Sequence, residues 1–190
     1  KVVMPWYNKP YVKDKDFEIV FDGFIHQADR MLQVQVFREK INTLGFELFL
    51  VKIPGLLDRD NPYGYQDDSF QFLAFQHGIL HWLTAMKIRP DVLHCHDYHT
   101  GLVPFMIEHC PEFNFLKGVK TIATIHNGEY QGMMSWEMVQ YIPTFEYHKW
   151  GLLDWNGYIN PLASMIKCAT AFTTVSEGYL EELFVSFRGL

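Results

Sequence analysis

Asp91-Val92-Leu93-His94-Cys95-His96-Asp97-Tyr98-His99-Thr100-Gly101-Leu102-Val103-Pro104 is the stretch whose reading decides the fold. Asp91 to Cys95 has the apolar, β-branched start of a short strand, and Gly101 to His109 reads as a helix. Between them, His, Asp, Tyr and Thr crowd into one turn. A second stretch repeats the design. Val119 to Ile125 is a mostly apolar strand, and Thr124-Ile125-His126-Asn127-Gly128-Glu129-Tyr130-Gln131-Gly132 carries polar groups off its end. Leu162 to Ala169 then reads as a helix, Ala171 to Val175 as a strand, and Ser176 to Phe184 as a helix opened by a capping serine. Repeated strand–helix units with apolar strands predict an α/β fold, a Rossmann-like parallel sheet with helices on both faces. In such sheets ligands bind beyond the carboxyl ends of the strands, where both polar stretches fall.

Upstream the rhythm differs. Leu32, Val34 and Val36 alternate with Gln33 and Gln35, the pattern of a half-exposed strand. Phe46 to Ile53 is a second strand, closed by Pro54-Gly55. Asn42-Thr43-Leu44-Gly45 between them fits a hairpin, so an antiparallel region is expected near the N-terminus. Asp58 to Asp68 reads as a loop. Phe72, Phe75, Ile79, Trp82 and Met86 recur at helical spacing before Pro90. His77 and His81 read as ordinary helix-face residues. Lys1 to Pro5 reads as the last part of a buried strand and Tyr179 to Phe184 is still helical, so the chain is expected to be part of a larger protein.

The 190 residues are 48% hydrophobic and 20% charged, enough for one substantial core. A net charge of -6 without a Lys/Arg-rich run argues against a nucleic-acid or anionic-membrane partner. The three cysteines, Cys95, Cys110 and Cys168, form no CxxC pair, which argues against a zinc ribbon or a disulfide framework and fits a reducing cytoplasm. No apolar run approaches the roughly 18 residues of a membrane span. Aromatic residues make up 16% of the chain; packing accounts for most, and flat rings also suit stacking on a flat apolar ligand face. The run His94-x-His96-Asp97-x-His99 invites a metal reading, since binuclear metallohydrolases carry H-x-H-x-D-H. Here the aspartate comes one place early, and no metal is expected.

The two polar stretches resemble those of bacterial and plant glycogen/starch synthases. Asp91 to Pro104 is similar to the family segment D-v-v-H-x-H-D-W-H-t-g-L-v-P, and Thr121 to Gly132 resembles f-T-I-H-N-x-x-Y-Q-G. Asn160-Pro161-Leu162 through Thr173-Thr174-Val175-Ser176-Glu177-Gly178-Tyr179 resembles N-x-x-K-x-x-x-x-x-A-d-x-v-T-T-V-S-P-x-Y, and Lys1 to Tyr7 resembles r-V-V-M-P-x-Y. Order and approximate spacing agree over nearly the whole chain. Tyr98 replaces the usual Trp, Ala163 the usual Lys, and Glu177 the usual Pro. The family's K-x-G-G-L loop and its E-x7-E segment have no counterpart in these 190 residues.

The resemblance implies a GT-B glycosyltransferase. Residues 1–190 would be most of its N-terminal, acceptor-side domain, without the first strand-loop-helix and without the C-terminal nucleotide domain. The implied reaction moves glucose from ADP-glucose to the 4-hydroxyl end of an α-1,4-glucan with retained configuration and no cofactor. By motif position, Asp97 would position the donor sugar. His126 would meet the glucose 6-hydroxyl with its ring and the reacting centre through its carbonyl, and Asn127 would assist. His99, Tyr130, Gln131 and Asn160 are further substrate-binding candidates, with Tyr63 or Tyr65 near the sugar. Two other readings stay open: a non-catalytic glucan-binding domain, and a GT-B transferase using another nucleotide sugar.

Overall fold

The computed structural model describes residues 1–185, which form two compact units divided after Trp82. In the first unit, β1 (Val2–Pro5) is followed by the short helix α1 (Pro10–Asp14), then β2 (Phe17–Gln27), β3 (Arg30–Glu39), β4 (Leu48–Lys52) and the helix α2 (Asp68–Ala85), whose last turn lies beyond the division. The strands make one mixed sheet in the order β1-β4-β3-β2. β1 runs parallel to β4, while β4 with β3 and β3 with β2 are antiparallel. The expected hairpin joins β3 to β4, with Gly45 at φ +78° in its loop. Val34 and Val36 are buried as their alternation predicts, while Gln33 and Gln35 stay outside and donate to the two oxygens of Asp22. β4 is flanked on both sides, and Leu48 to Val51 are all buried.

Two expectations are corrected here. β1 is a strand but not a buried one: it lies at the sheet edge with Val2 and Met4 exposed. His77 is no surface residue; it is buried with Gln71 and Gln76 on a helix that is enclosed all round from Phe70 to Leu80. The helix lies so close to the sheet that a Cβ at Gly78 would stand 3.2 Å from Val34 Cγ1.

The second unit carries the parallel strands. β5 (Val92–His96) leads through a 3-10 turn (Tyr98–Thr100) into α3 (Val103–His109), and β6 (Lys120–Ile125) follows. A two-stranded hairpin, β7 (Asp154–Trp155) and β8 (Tyr158–Ile159), turns on Asn156-Gly157, both at positive φ as a type I′ turn requires. Then come α4 (Pro161–Cys168), β9 (Ala171–Thr174) and α5 (Glu177–Val185). β5, β6 and β9 form a parallel sheet with β6 central. Thr121, Ala123, Thr124 and Ile125 of β6 are buried, as expected of a strand covered on both faces, whereas Ala171 to Thr173 of the edge strand β9 are exposed. Ser176 caps α5 as predicted, accepting from the Tyr179 amide at 3.1 Å.

Candidate active site

Parallel pairing of His96 with Thr124 brings the ends of β5 and β6 side by side, so the two polar stretches leave the sheet at the same edge. Asp97 is the first residue past β5. Its amide donates to the Thr124 carbonyl at 3.0 Å, continuing the ladder by one bond. Its backbone then turns at φ 55°, ψ -175°, a region almost reserved for glycine and costing on the order of 1–3 kcal/mol. What holds it there is local. Oδ1 of Asp97 accepts from the His126 amide at 2.8 Å and, more weakly, from the Asn127 amide at 3.4 Å. The Thr100 amide donates to the Asp97 carbonyl at 3.2 Å, and the Thr100 hydroxyl accepts from the His96 amide at 2.7 Å. The strained aspartate therefore ties the two strand-end loops to each other.

A column of histidines stands beside it. His94 Nε2 lies 2.7 Å from Thr124 Oγ1. The His94 and His96 rings stack with centroids 4.3 Å apart, and His96 Nδ1 meets His126 Nε2 at 3.0 Å. These nitrogens are spent on neighbours and do not converge on a common point. Among the described residues no cluster of three His, Cys, Asp or Glu side chains is placed to hold a metal ion. Cys95 is 3% exposed beneath the turn, and burial pushes its thiol up to about 12, which makes it a packing residue and not a nucleophile.

Desolvation, followed by the neighbouring His94 and His126 rings, holds His96 below the usual histidine value of 6.5, against the pull of Asp97. The folded chain thus resists a proton that the unfolded chain accepts. Near neutral pH both forms are unprotonated; as pH falls through 6.5 toward the lower folded value, the unfolded state binds more protons and stability is lost. The melting temperature of the full-length protein is expected to fall less between pH 7 and pH 5.5 when His96 is replaced by Asn. Equal slopes would remove His96 from the titration.

The loop after His126 is buttressed from three sides. Asn127 Oδ1 accepts from the Glu129 amide at 3.0 Å, closing an Asx turn, and Tyr179 Oη of α5 accepts from the Gly128 amide at 2.7 Å. Gln131 Nε2 donates to the Gly128 carbonyl at 3.2 Å, while Gln131 Oε1 accepts from Asn160 Nδ2 at 2.8 Å. Asn160 itself is 0% exposed, and its Oδ1 accepts from the Ala163 amide as the N-cap of α4, with Pro161 in the first turn. Asn160, buried, and Gln131, half-buried, are bonded to each other and brace the loop. Gly132 sits at φ +71° with the Tyr98 ring against its α-carbon, leaving no room for a Cβ. Tyr98 also stacks on His99, ring centroids 3.9 Å apart.

Of the other expected residues, His126 and Asn127 are exposed at the strand end and Tyr130 is 64% exposed. Tyr63 and Tyr65 belong to the first unit. There Tyr65 lies under the Arg59 guanidinium, 4.5 Å from its ring, and its hydroxyl accepts from the Asn61 amide, while Tyr63 is 63% exposed. Arg59 is fixed by Asp67 through two short bonds, and that hydrogen-bonded contact lowers the Asp67 carboxyl. Thr100, Thr124 and Tyr179 are supports that residue patterns did not single out, because their role depends on strand pairing and on where α5 packs.

Residues 1–190 match the family described as the starch synthase catalytic domain. The chain belongs to that family. It is 43% identical over all 190 residues to a glycogen synthase of Flavobacterium johnsoniae, covering 40% of that protein. It is 32% identical to a glycogen synthase of Lactobacillus acidophilus, with 96% of this chain and 39% of that protein aligned. The chain thus spans about two fifths of the length of these relatives. The catalytic domain of starch synthase IV from Arabidopsis thaliana, solved bound to ADP and acarbose, superposes with a TM-score of 0.78 at 21% identity, over 90% of this chain and 36% of that one. The fold is therefore that of a starch synthase catalytic domain, the GT-B class expected.

Proposed function

We propose that this chain is the acceptor-side part of a glycogen or starch synthase, which transfers glucose from ADP-glucose to the 4-hydroxyl end of an α-1,4-glucan with retention of configuration. The observation that carries the reading is the tie between Asp97 and the His126-Asn127 amides at the shared strand end, within a chain of the starch synthase catalytic-domain family. Asp97 and His126 act by placement and electrostatics. The carboxylate and the imidazole face the donor sugar, and Asn127 holds the turn that presents them. Tyr130 offers an exposed ring to a sugar face, with His99 as a further polar contact. No Lys or Arg lies in residues 94–101 or 125–132, so the diphosphate is gripped by parts of the protein outside these loops. In retaining transfer the departing phosphate oxygen takes the proton of the incoming glucan hydroxyl as the new glycosidic bond forms, and a separate enzyme base is not required. The proposal places the enzyme in the cytoplasm; among the described residues no helix is long and apolar enough to cross a membrane.

One observation favours a glucan-binding role without catalysis. Residues 136–150 enclose an open groove of about 690 Å³ lined by Trp136, Ile142, Phe145, Tyr147 and Trp150 among others, with no Asp, Glu, Lys or Arg in its wall. Glucose incorporation into glycogen by the full-length protein separates the readings. ADP-glucose is expected to support sustained incorporation, and the 190-residue chain alone to stay at background. Glycogen binding without incorporation from ADP- or UDP-glucose would establish the non-catalytic alternative, and a preference for UDP-glucose would correct the donor.

A further inference from the structure

His126 is held at two points. Its backbone amide donates to Asp97 Oδ1 at 2.8 Å, and its ring meets His96 Nδ1 through Nε2 at 3.0 Å. The planes of these two rings are 28° apart with centroids 5.3 Å apart, so the contact runs nearly edge to edge. His96 in turn is backed by the His94 ring at 4.3 Å, and His94 is pinned to Thr124 Oγ1. Nδ1 is the one nitrogen of the His126 ring left without a hydrogen bond among the described residues. We propose that His96 is a positioning residue for the glucosyl transfer proposed above: by engaging Nε2 of His126 it makes Nδ1 the nitrogen that faces the donor sugar, and it couples the hydrogen-bonding role of that nitrogen to its own tautomer.

The chemistry of an imidazole pair makes the coupling strict. One hydrogen lies between the two facing nitrogens, and each neutral ring carries one N–H. When His96 Nδ1 donates, the proton of His126 sits on Nδ1 and the sugar meets a donor; when His126 Nε2 donates, Nδ1 is an acceptor. An unpaired His126 rotates about its ring torsion, so a fraction of encounters meets the wrong atom. The groups that face His96 are His94 on its own strand, His126 from the end of β6, and Asp97 at the start of the turn.

A double-mutant cycle on the full-length protein tests the role. His96→Phe keeps a ring for stacking and removes the nitrogen. His96→Asn keeps a polar atom where Nδ1 stands. With ADP-glucose and glycogen, His96→Phe is expected to lower kcat by about tenfold with the KM for ADP-glucose nearly unchanged, and His96→Asn to restore most of the loss. In a His126→Ala background, His96→Phe is expected to change kcat by less than about twofold, because its partner is gone. Effects that multiply independently, or a His96→Asn protein no better than His96→Phe, would overturn the inference alone. A wild-type protein that transfers no glucose would overturn the transferase reading and this role with it.

Discussion

Turnover of the full-length protein is expected to fall by about 10² to 10³ when Asp97 is replaced by either Asn or Ala, with the KM for ADP-glucose little changed. The two substitutions separate the two things that Asp97 does. Asn keeps an oxygen for the His126 amide, now 2.8 Å from Asp97 Oδ1, and it tolerates positive φ better than most residues. It removes the charge and turns the second oxygen into an NH2 donor. Ala removes the oxygen as well and leaves an unsupported backbone at φ 55°. If the carboxylate works on the transition state, the Asn protein loses about 3–4 kcal/mol of barrier lowering while its melting temperature stays near that of the wild type. The Ala protein loses both activity and stability, the latter by roughly 1–3 kcal/mol. Steady-state kinetics at saturating glycogen, beside thermal melts, read both. A folded Asn protein with near-normal kcat would reduce Asp97 to a loop tie and leave the sugar-facing role without support.

The parallel part of the fold was legible because its signals are local. Apolar strands, a Ser cap at residue 176 and helix-opening prolines repeat in order, and β5, β6, β9 and α3 to α5 formed within a few residues of the expected bounds. β2 escaped the same reading. Its register shifts between Ile19 and Phe21, and a bulge of this kind breaks the period-2 alternation on which a strand is recognised. α2 was legible as a helix but not as an enclosed one. Gln71, Gln76 and His77 are polar residues in a buried stretch, and tertiary partners such as the Pro62 carbonyl, 2.8 Å from Gln71 Nε2, accompany their burial.

At the site, Asp97, His126 and Asn127 were singled out by the resemblance and by their place at strand ends, and the structure brings them together there. The His96–His126 bond was not singled out, since it depends on the register that sets His96 beside Thr124. Asn160 is the reverse case. Asn-Pro at the start of an apolar helix is itself a capping signature, and the buried cap it forms could have been read from those two residues.

Gly101→Ala is expected to destabilise the second unit by about 1–3 kcal/mol or more. The cost is not conformational. Gly101 has φ -68° and ψ -24°, ordinary helical values that alanine adopts freely. It is steric: a Cβ there would overlap the Pro161 carbonyl oxygen and stand 2.7 Å from the Pro161 carbonyl carbon, which are backbone atoms with no rotamer to give way. Pro161 cannot retreat cheaply, because Asn160 beside it is held by Gln131 and caps Ala163, and the Leu162 amide donates to the Gln131 carbonyl at 3.3 Å. The strain would instead travel back into the Asp97–Thr100 turn, so turnover is expected to fall together with stability. Gly178→Ala provides the opposite sign. Gly178 lies inside α5 with nothing within 4 Å of a built Cβ, and the substitution is expected to stabilise the helix by about 0.5–1 kcal/mol. Thermal melts of the two full-length variants should move in opposite directions, by roughly 4–8 °C per kcal/mol for a unit of this size. A Gly101→Ala protein that melts with the wild type would show that α4 yields at its N-terminus, and the bracing role assigned to Asn160 and Gln131 would fall with it.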